Sequence, residues 1–178
     1  MSVVYTTSEI FPSTEQVLAI NQLLAQILKK ECKNWCARQT EVKEANSDLE
    51  KIGFKYLDSG LHRVCYVSSD NRFVLKIDLV STQNKYEIEA SQRIPKILQS
   101  VVLLPIAFSS DFLWLVMPKA KTDKDLPIEK IHKLEDEICK FLSENGYFCE
   151  DVHHGNVGLF EDRAVIFDYG FNIGKRGE

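Results

Sequence analysis

The chain has 178 residues, of which 44% are hydrophobic and 27% charged, with a formal net charge of −4. That is the balance of a folded domain rather than a disordered segment, and it lacks the electrostatic footprint of a nucleic-acid binder. The opening "MSVVYTTSEIFPSTEQ" has no basic region leading into an apolar stretch, and the longest apolar run, "VVLLPIAF", is far too short to span a bilayer. The expectation is a soluble cytoplasmic protein with neither membrane nor nucleic-acid partners.

The first element follows Pro12. Ser13 with Gln16 three residues on makes a capping-box pattern. Apolar residues then recur at Val17, Ile20, Leu24, Ile27 and Leu28, with Trp35 later, which predicts a helix with one apolar face. That face either packs on the rest of the chain or meets a partner. Thr40 to Glu50 is polar and reads as a helix end and a connection. The five cysteines are odd in number and lack paired spacing, which fits a reducing compartment. Cys32 and Cys36 are four apart, on one helix face. With no further ligands nearby in sequence, they are expected to be small buried hydrophobes rather than a metal site.

From Gly53 the period changes to that of strands. "GFKYLDSG", "HRVCYVSS" and "RFVLKIDL" are aromatic and β-branched, separated by turn-like "SGL" and "SDN". A helix is predicted over Ser81 to Ile94, stopped by Pro95. "VVLLPIAFSS" and "DFLWLVMP" read as two more strands, the first interrupted by Pro105 and so bent or at an edge. After the polar "KAKTDKDLP", a helix should run from Ile128 to Glu144, with Ile131, Leu134, Ile138, Phe141 and Leu142 inward and Asn145-Gly146 as its end. A loop, the short strands "VGLF" and "AVIFD" and a tail complete the chain. These elements predict an α+β fold in two parts.

Three features carry chemistry. Lys76 lies in the apolar strand "FVLKI"; it either faces solvent on an alternating strand or needs an anion. Asp151 and Asn156, spaced D-x-x-x-x-N, supply a carboxylate able to accept a proton and an amide oxygen able to bind a hard cation. Asp168, in "VIFDYG", follows an apolar strand at a sharp turn, as a turn-former or as a second cation ligand. A hairpin between them folds Asn156 and Asp168 toward each other.

In this order, over about Leu49 to Phe171, the features resemble the protein-kinase-like superfamily. "VLK" is similar to V-A-I-K, "DVHHGN" to the catalytic loop, and "DYG" to D-F-G. The resemblance implies a two-lobed fold: a helical extension over 1–47, an N-lobe over 48–119 with a five-stranded antiparallel sheet and an inserted helix, and a strongly reduced C-lobe over 120–178. It also implies ATP and Mg2+ as cofactors. Lys76 would pair with the α- and β-phosphates and be held by Glu87, with Glu89 as rival. Asp151 would orient or deprotonate the acceptor hydroxyl, and Asn156 and Asp168 would hold Mg2+. Met117 would back the adenine pocket, and the backbone from Pro118 through Lys119 to Ala120 would meet the adenine edge. His153 stands where many small-molecule kinases have histidine, to contact the γ-phosphate or to hydrogen-bond within the loop. Gly60 alone serves where the family has a glycine-rich loop. Cys149 and Glu150 replace the His-Arg of H-R-D, so control by a phosphorylated loop is not expected.

Eight residues follow Gly170, without the later C-lobe helices. The resemblance is therefore to compact phage or bacterial effector kinases. The implied activity is γ-phosphoryl transfer to a hydroxyl, on a protein serine or threonine before a small molecule. A pseudokinase or partner-binding module, and nucleotidyl transfer on the same fold, are the alternatives. The N-terminal helix is a candidate contact surface for a protein substrate or partner.

Overall fold

Alternating apolar residues from Phe54 onward do form strands, and they close on a helical layer. The computed structural model describes residues 3–5, 11–30, 35–60, 62–79, 82–169 and 173–175, with the side chains of 3–5, 35, 36, 38 and 39 left aside. Cys32, Gly170 and most of the tail lie outside the described residues, as does the side chain of Cys36. The chain divides into two units, Met1–Lys85 with Pro105–Pro118, and Tyr86–Leu104 with Lys119–Glu178.

The first unit is built on an antiparallel sheet. Strands β2 (Phe54–Ser59), β3 (Val64–Ser68), β4 (Phe73–Ile77), β5 (Ala107–Ser109) and β6 (Trp114–Pro118) are the five that were expected. A sixth that was not, β1 (Val3–Tyr5), pairs with β5 at the edge, so the order is β1-β5-β6-β4-β3-β2. Among the described residues three helices precede β2: α1 (Thr14–Lys29), α2 (Trp35–Glu44) and α3 (Asn46–Lys51). The capping box of α1 forms as its sequence predicts: Gln16 N–H donates to Ser13 Oγ, and Ser13 N–H donates to Gln16 Oε1. Val17, Ile20, Leu24 and Ile27 of α1 enter one core with Leu49, Phe54, Tyr66, Leu75, Ile77 and Trp114. Burying each such side chain is worth about 2 kcal/mol. The apolar face of α1 is thus used within its own unit, whereas Leu28, expected on it, and Leu18 are exposed. Polar ties reinforce the layer. Trp114 Nε1–H donates to Asn21 Oδ1 at 2.9 Å, and Gln16 Nε2 donates to the Ile52 carbonyl at 2.8 Å.

Thr40 to Glu50 holds the end of α2, as expected, but then helix α3 in place of a connection. Val42, Ala45 and Leu49 recur at helical spacing and are buried, a stripe too sparse among charges to stand out. Helix α4 (Gln83–Arg93) follows β4 as expected.

In the second unit, α5 (Ile128–Glu144) has its predicted bounds. Ile131, Leu134, Ile138 and Leu142 are buried where α5 packs on β7 (Tyr147–Cys149), β8 (Val157–Phe160) and β9 (Arg163–Ile166), while Phe141 is only half-buried. Gly146, at φ +78°, ends the helix in the left-handed region that glycine favours. The tail adds β10 (Ile173–Lys175), which pairs antiparallel with β7. The run Val101–Ser110, read as one strand bent at Pro105 or at an edge, is split. Val102 bridges in parallel to Ile166, preceded by a short 3-10 turn over Lys96–Ser100, and only Ala107–Ser109 is sheet.

Among the described residues no helix is long and apolar enough to cross a membrane.

Candidate active site

Helix α5, its glycine stop and β7 deliver the chain into the loop from Glu150 to Asn156, and β8 leads out of it. Asp151 sits at its start. Its carboxylate accepts from Asn156 Nδ2 at 2.9 Å, and the same nitrogen lies 3.2 Å from the Asp151 backbone carbonyl. A carboxylate and a carbonyl only accept, so the amide nitrogen must face them and Oδ1 turns away. The second carboxylate oxygen of Asp151 is 3.3 Å from His153 Nε2. His153 Nδ1 accepts the Gly155 N–H at 3.1 Å, which leaves the ring proton on Nε2, directed at Asp151. A Cβ at Gly155 would stand 3.0 Å from the imidazole, so a side chain there would push the exposed ring by a few tenths of an ångström. His153 thus hydrogen-bonds within the loop. His154 is exposed, with its ring edge-on to that of His153.

Asn156 N–H donates to the His153 carbonyl at 2.8 Å, and Phe167 N–H donates to the Asn156 carbonyl at 3.0 Å. The second bond continues the β8–β9 ladder, in which Val157 faces Ile166. It brings Asn156 beside the residue that precedes Asp168. Asn156 is buried; Asp151 and Asp168 are half-buried. Two oxygen donors, an amide Oδ1 and a carboxylate, are the hard set that Mg2+ takes, and these residues fit it. Among the described residues no cluster of three or more His, Cys, Asp or Glu side chains forms a metal site. Cys149, just upstream, has its thiol pushed up by burial, with Asp151 adding to the effect by charge while its backbone hydrogen bond opposes it.

Lys119 Nζ lies 3.6 Å from Asp125 Oδ2, which also accepts the Thr122 N–H. Ala120 is buried, and Lys121 exchanges both backbone bonds with Leu159 of β8 at 2.9 Å. Gly158 permits this approach: a Cβ there would stand 2.5 Å from the Lys121 carbonyl oxygen.

In the first unit, Lys76 is 5% exposed, so it is not a solvent-facing lysine. Its strand sends Phe73, Leu75 and Ile77 into the core, and Lys76 lies on the opposite face with Val74. Register pairs Val74 with Met117 and Lys76 with Leu115, so Met117 and Lys76 share a face. Gly60 N–H donates to the Arg63 carbonyl and closes the β2–β3 turn. A Cβ at Gly60 would meet nothing within 4 Å, and its φ lies outside the left-handed region. What the glycine provides is open space rather than an unusual backbone angle.

On α4, Glu87 is 1% exposed and Glu89 half-buried; Asn84, Glu87 and Ile88 form one buried face. Sequence reasoning missed the polar group around Asn84. Asn84 is fully buried, its N–H donates to Asp78 Oδ2 at 3.2 Å, its Nδ2 to the Lys76 carbonyl at 3.2 Å, and its Oδ1 accepts from Arg63 Nη1 at 3.4 Å. The available signal was weak: an aspartate directly after an apolar strand and an asparagine opening a helix.

No protein-family model matches the chain, and no curated protein matches it. Solved structures do. A structure of WbdD with the kinase inhibitor LY294002 is 19% identical over 68% of this chain and 33% of its own, with a TM-score of 0.47. A structure of the bifunctional kinase-methyltransferase WbdD is 20% identical over 64% and 30%, with a TM-score of 0.46. A third, again of WbdD, is 20% identical over 68% and 33%, with a TM-score of 0.49. The chain spans about a third of the length of these proteins. The likeness is one of backbone shape, and the activities named are those of WbdD.

Proposed function

We propose that the chain is an ATP- and Mg2+-dependent phosphotransferase that moves the γ-phosphoryl group to a hydroxyl, with a protein serine or threonine as the acceptor class. One observation carries the reading: the Asp151 carboxylate is held between the Asn156 amide and the His153 imidazole, in a loop bonded through Asn156 to Phe167, the residue between β9 and Asp168. A carboxylate fixed in this way is set to orient a hydroxyl and accept its proton as the oxygen attacks phosphorus. The bond to phosphorus forms as the bond to the β-phosphate oxygen breaks, and ADP leaves. His153 positions Asp151. Asn156 Oδ1 and the Asp168 carboxylate are the groups that would hold Mg2+, which when bound neutralises phosphate charge.

Lys76 serves the α- and β-phosphates, and its burial supports an anionic partner over a solvent-facing role. The burial of Glu87 favours it over Glu89 as the residue that holds Lys76. Met117 backs the adenine, and the backbone of Lys119 and Ala120 meets its edge.

The second reading, a nucleotide-free interaction module, is favoured by the single glycine of the β2–β3 turn. The test uses ATP labelled separately at the γ- and α-phosphates, with Mg2+ and a cell lysate as acceptor. γ-Label on protein, abolished by Asp151→Asn and by Asp168→Ala, supports the kinase; γ-label only on small molecules moves the acceptor class. α-Label would instead indicate nucleotidyl transfer. No transfer, with no rise in melting temperature on adding ATP and Mg2+, sinks the enzyme reading. Ligand at a hundredfold its Kd adds about 2.7 kcal/mol of stability, so binding would not be missed.

A further inference from the structure

Helix α4, "QNKYEIEASQR", is poor in apolar residues, and of these Ile88 alone is fully buried among the described side chains. A helix with so thin an apolar stripe is weakly held in rotation by packing. Its first turn also lacks an acidic residue. Asp78, just past the end of β4, supplies that charge from outside the helix by accepting the Asn84 N–H. Asn84 then uses both ends of its amide, Nδ2 to the Lys76 carbonyl and Oδ1 to Arg63 ahead of β3. Asparagine near a helix start ordinarily faces water; this one is fully buried, with three hydrogen bonds to two segments of chain, Lys76–Asp78 and Arg63.

We propose that Asn84 is a positioning residue: it locks the first turn of α4 to β4 and thereby sets the rotation that keeps Glu87 on the buried side. Its effect on rate rests on the phosphotransferase reading above, in which Glu87 holds Lys76. The lock itself does not. It gives this chain a helix anchored by a buried polar hub.

Hydrogen exchange and γ-phosphoryl transfer test it together, on the full chain. Asn84→Ala should speed exchange at the α4 amides from Ile88 onward about tenfold, the scale of one lost buried hydrogen bond, with the sheet amides unchanged. The transfer rate should fall about tenfold through kcat, and the loss should largely disappear in a Glu87→Gln background, because Asn84 acts through Glu87. Asn84→Asp keeps the volume and the oxygen facing Arg63 but loses the donor to Lys76; it should show the same pattern and serves if the alanine variant does not fold. Wild-type exchange in a folded Asn84 variant overturns the lock whether or not the protein transfers phosphate. Equal rate losses with and without Glu87 overturn action through Glu87. A wild-type protein that transfers no γ-phosphoryl fails the parent reading alone, and exchange still decides the lock.

Discussion

Two groups of polar residues, one in each unit, are treated in opposite ways. In the first, Lys76, Asp78 and Asn84 are all but fully buried around the sheet and α4. Each must be matched by a partner, because a buried polar group left unmatched costs about 1–3 kcal/mol. In the second, Asp151, His153 and Asp168 are half-buried or exposed, although the loop that carries them is stitched by backbone bonds. Water can solvate these groups, so removing one costs little stability. Substitution in the first unit should therefore damage the fold first and chemistry second. In the loop of the second unit it should damage chemistry alone.

Asp151→Asn should show the largest effect. An amide in place of the carboxylate keeps an oxygen for Asn156 Nδ2 but cannot take a proton. Transfer of γ-label should fall about 10²–10⁴-fold, the usual contribution of a positioned base, with a melting temperature within about 2 °C of wild type. A large loss of stability with activity retained would break the contrast.

Gly158→Ala tests its limit, since the same unit holds a position that stability depends on. The added Cβ would meet the Lys121 carbonyl oxygen at 2.5 Å and Ala120 Cβ at 3.1 Å. Backbone gives way less readily than a side chain, and overpacking of this kind costs about 1–3 kcal/mol. Urea denaturation should show the loss; an unchanged midpoint would mean that the Lys121–Leu159 pairing is slack.

Next in size is Tyr66→Phe. The Tyr66 hydroxyl lies 2.9 Å from the Val42 carbonyl and 2.8 Å from Asn46 Oδ1, and ties β3 to α2 and α3. Burial, with smaller contributions from Tyr56 and Cys65, pushes this phenol far above its usual range. It stays protonated and donating at neutral pH. Its loss should cost about 1 kcal/mol by urea melt and leave phosphotransfer unchanged.

The features legible in the sequence were those set by local patterns. Helix α5 combined a regular apolar stripe with an Asn-Gly stop, and β2, β3 and β4 alternated between clear turns. The Asp151–Asn156 spacing was legible because five residues make one turn whose ends can touch. The features missed depend on partners distant in the chain. β7 and β10 are three-residue strands that mean something only as a pair. Val101–Leu104 has the composition of a strand, yet Val102 pairs only through a lone bridge to Ile166. The sequence did not show that α4 buries Glu87 more deeply than Glu89, nor that Asn84 is bonded to Arg63, Lys76 and Asp78, because both depend on residues distant in the chain.

The smallest effect concerns the turn that starts the Lys76 strand. Asp70 accepts from Ser68 Oγ at 2.6 Å and from Arg72 Nε at 2.7 Å, while Ser68 Oγ also accepts the Phe73 N–H. The Ser68 bond first, then Arg72, holds the Asp70 carboxyl down to about 2. A carboxyl lowered on folding stabilises the protein above its unfolded pKa, near 4, and that contribution disappears as pH falls from about 4 through about 2. Because the side chain is 43% exposed, screening limits its worth to less than about 1 kcal/mol. Asp70→Asn should therefore be less stable than wild type by a few tenths of a kcal/mol at pH 7, and the gap should close by about pH 2. A gap that persists at pH 2 would assign the effect to turn geometry rather than charge. The polar groups before β4 would then act as the buried ones after it do, through fixed hydrogen bonds that protonation of Asp70 does not reach.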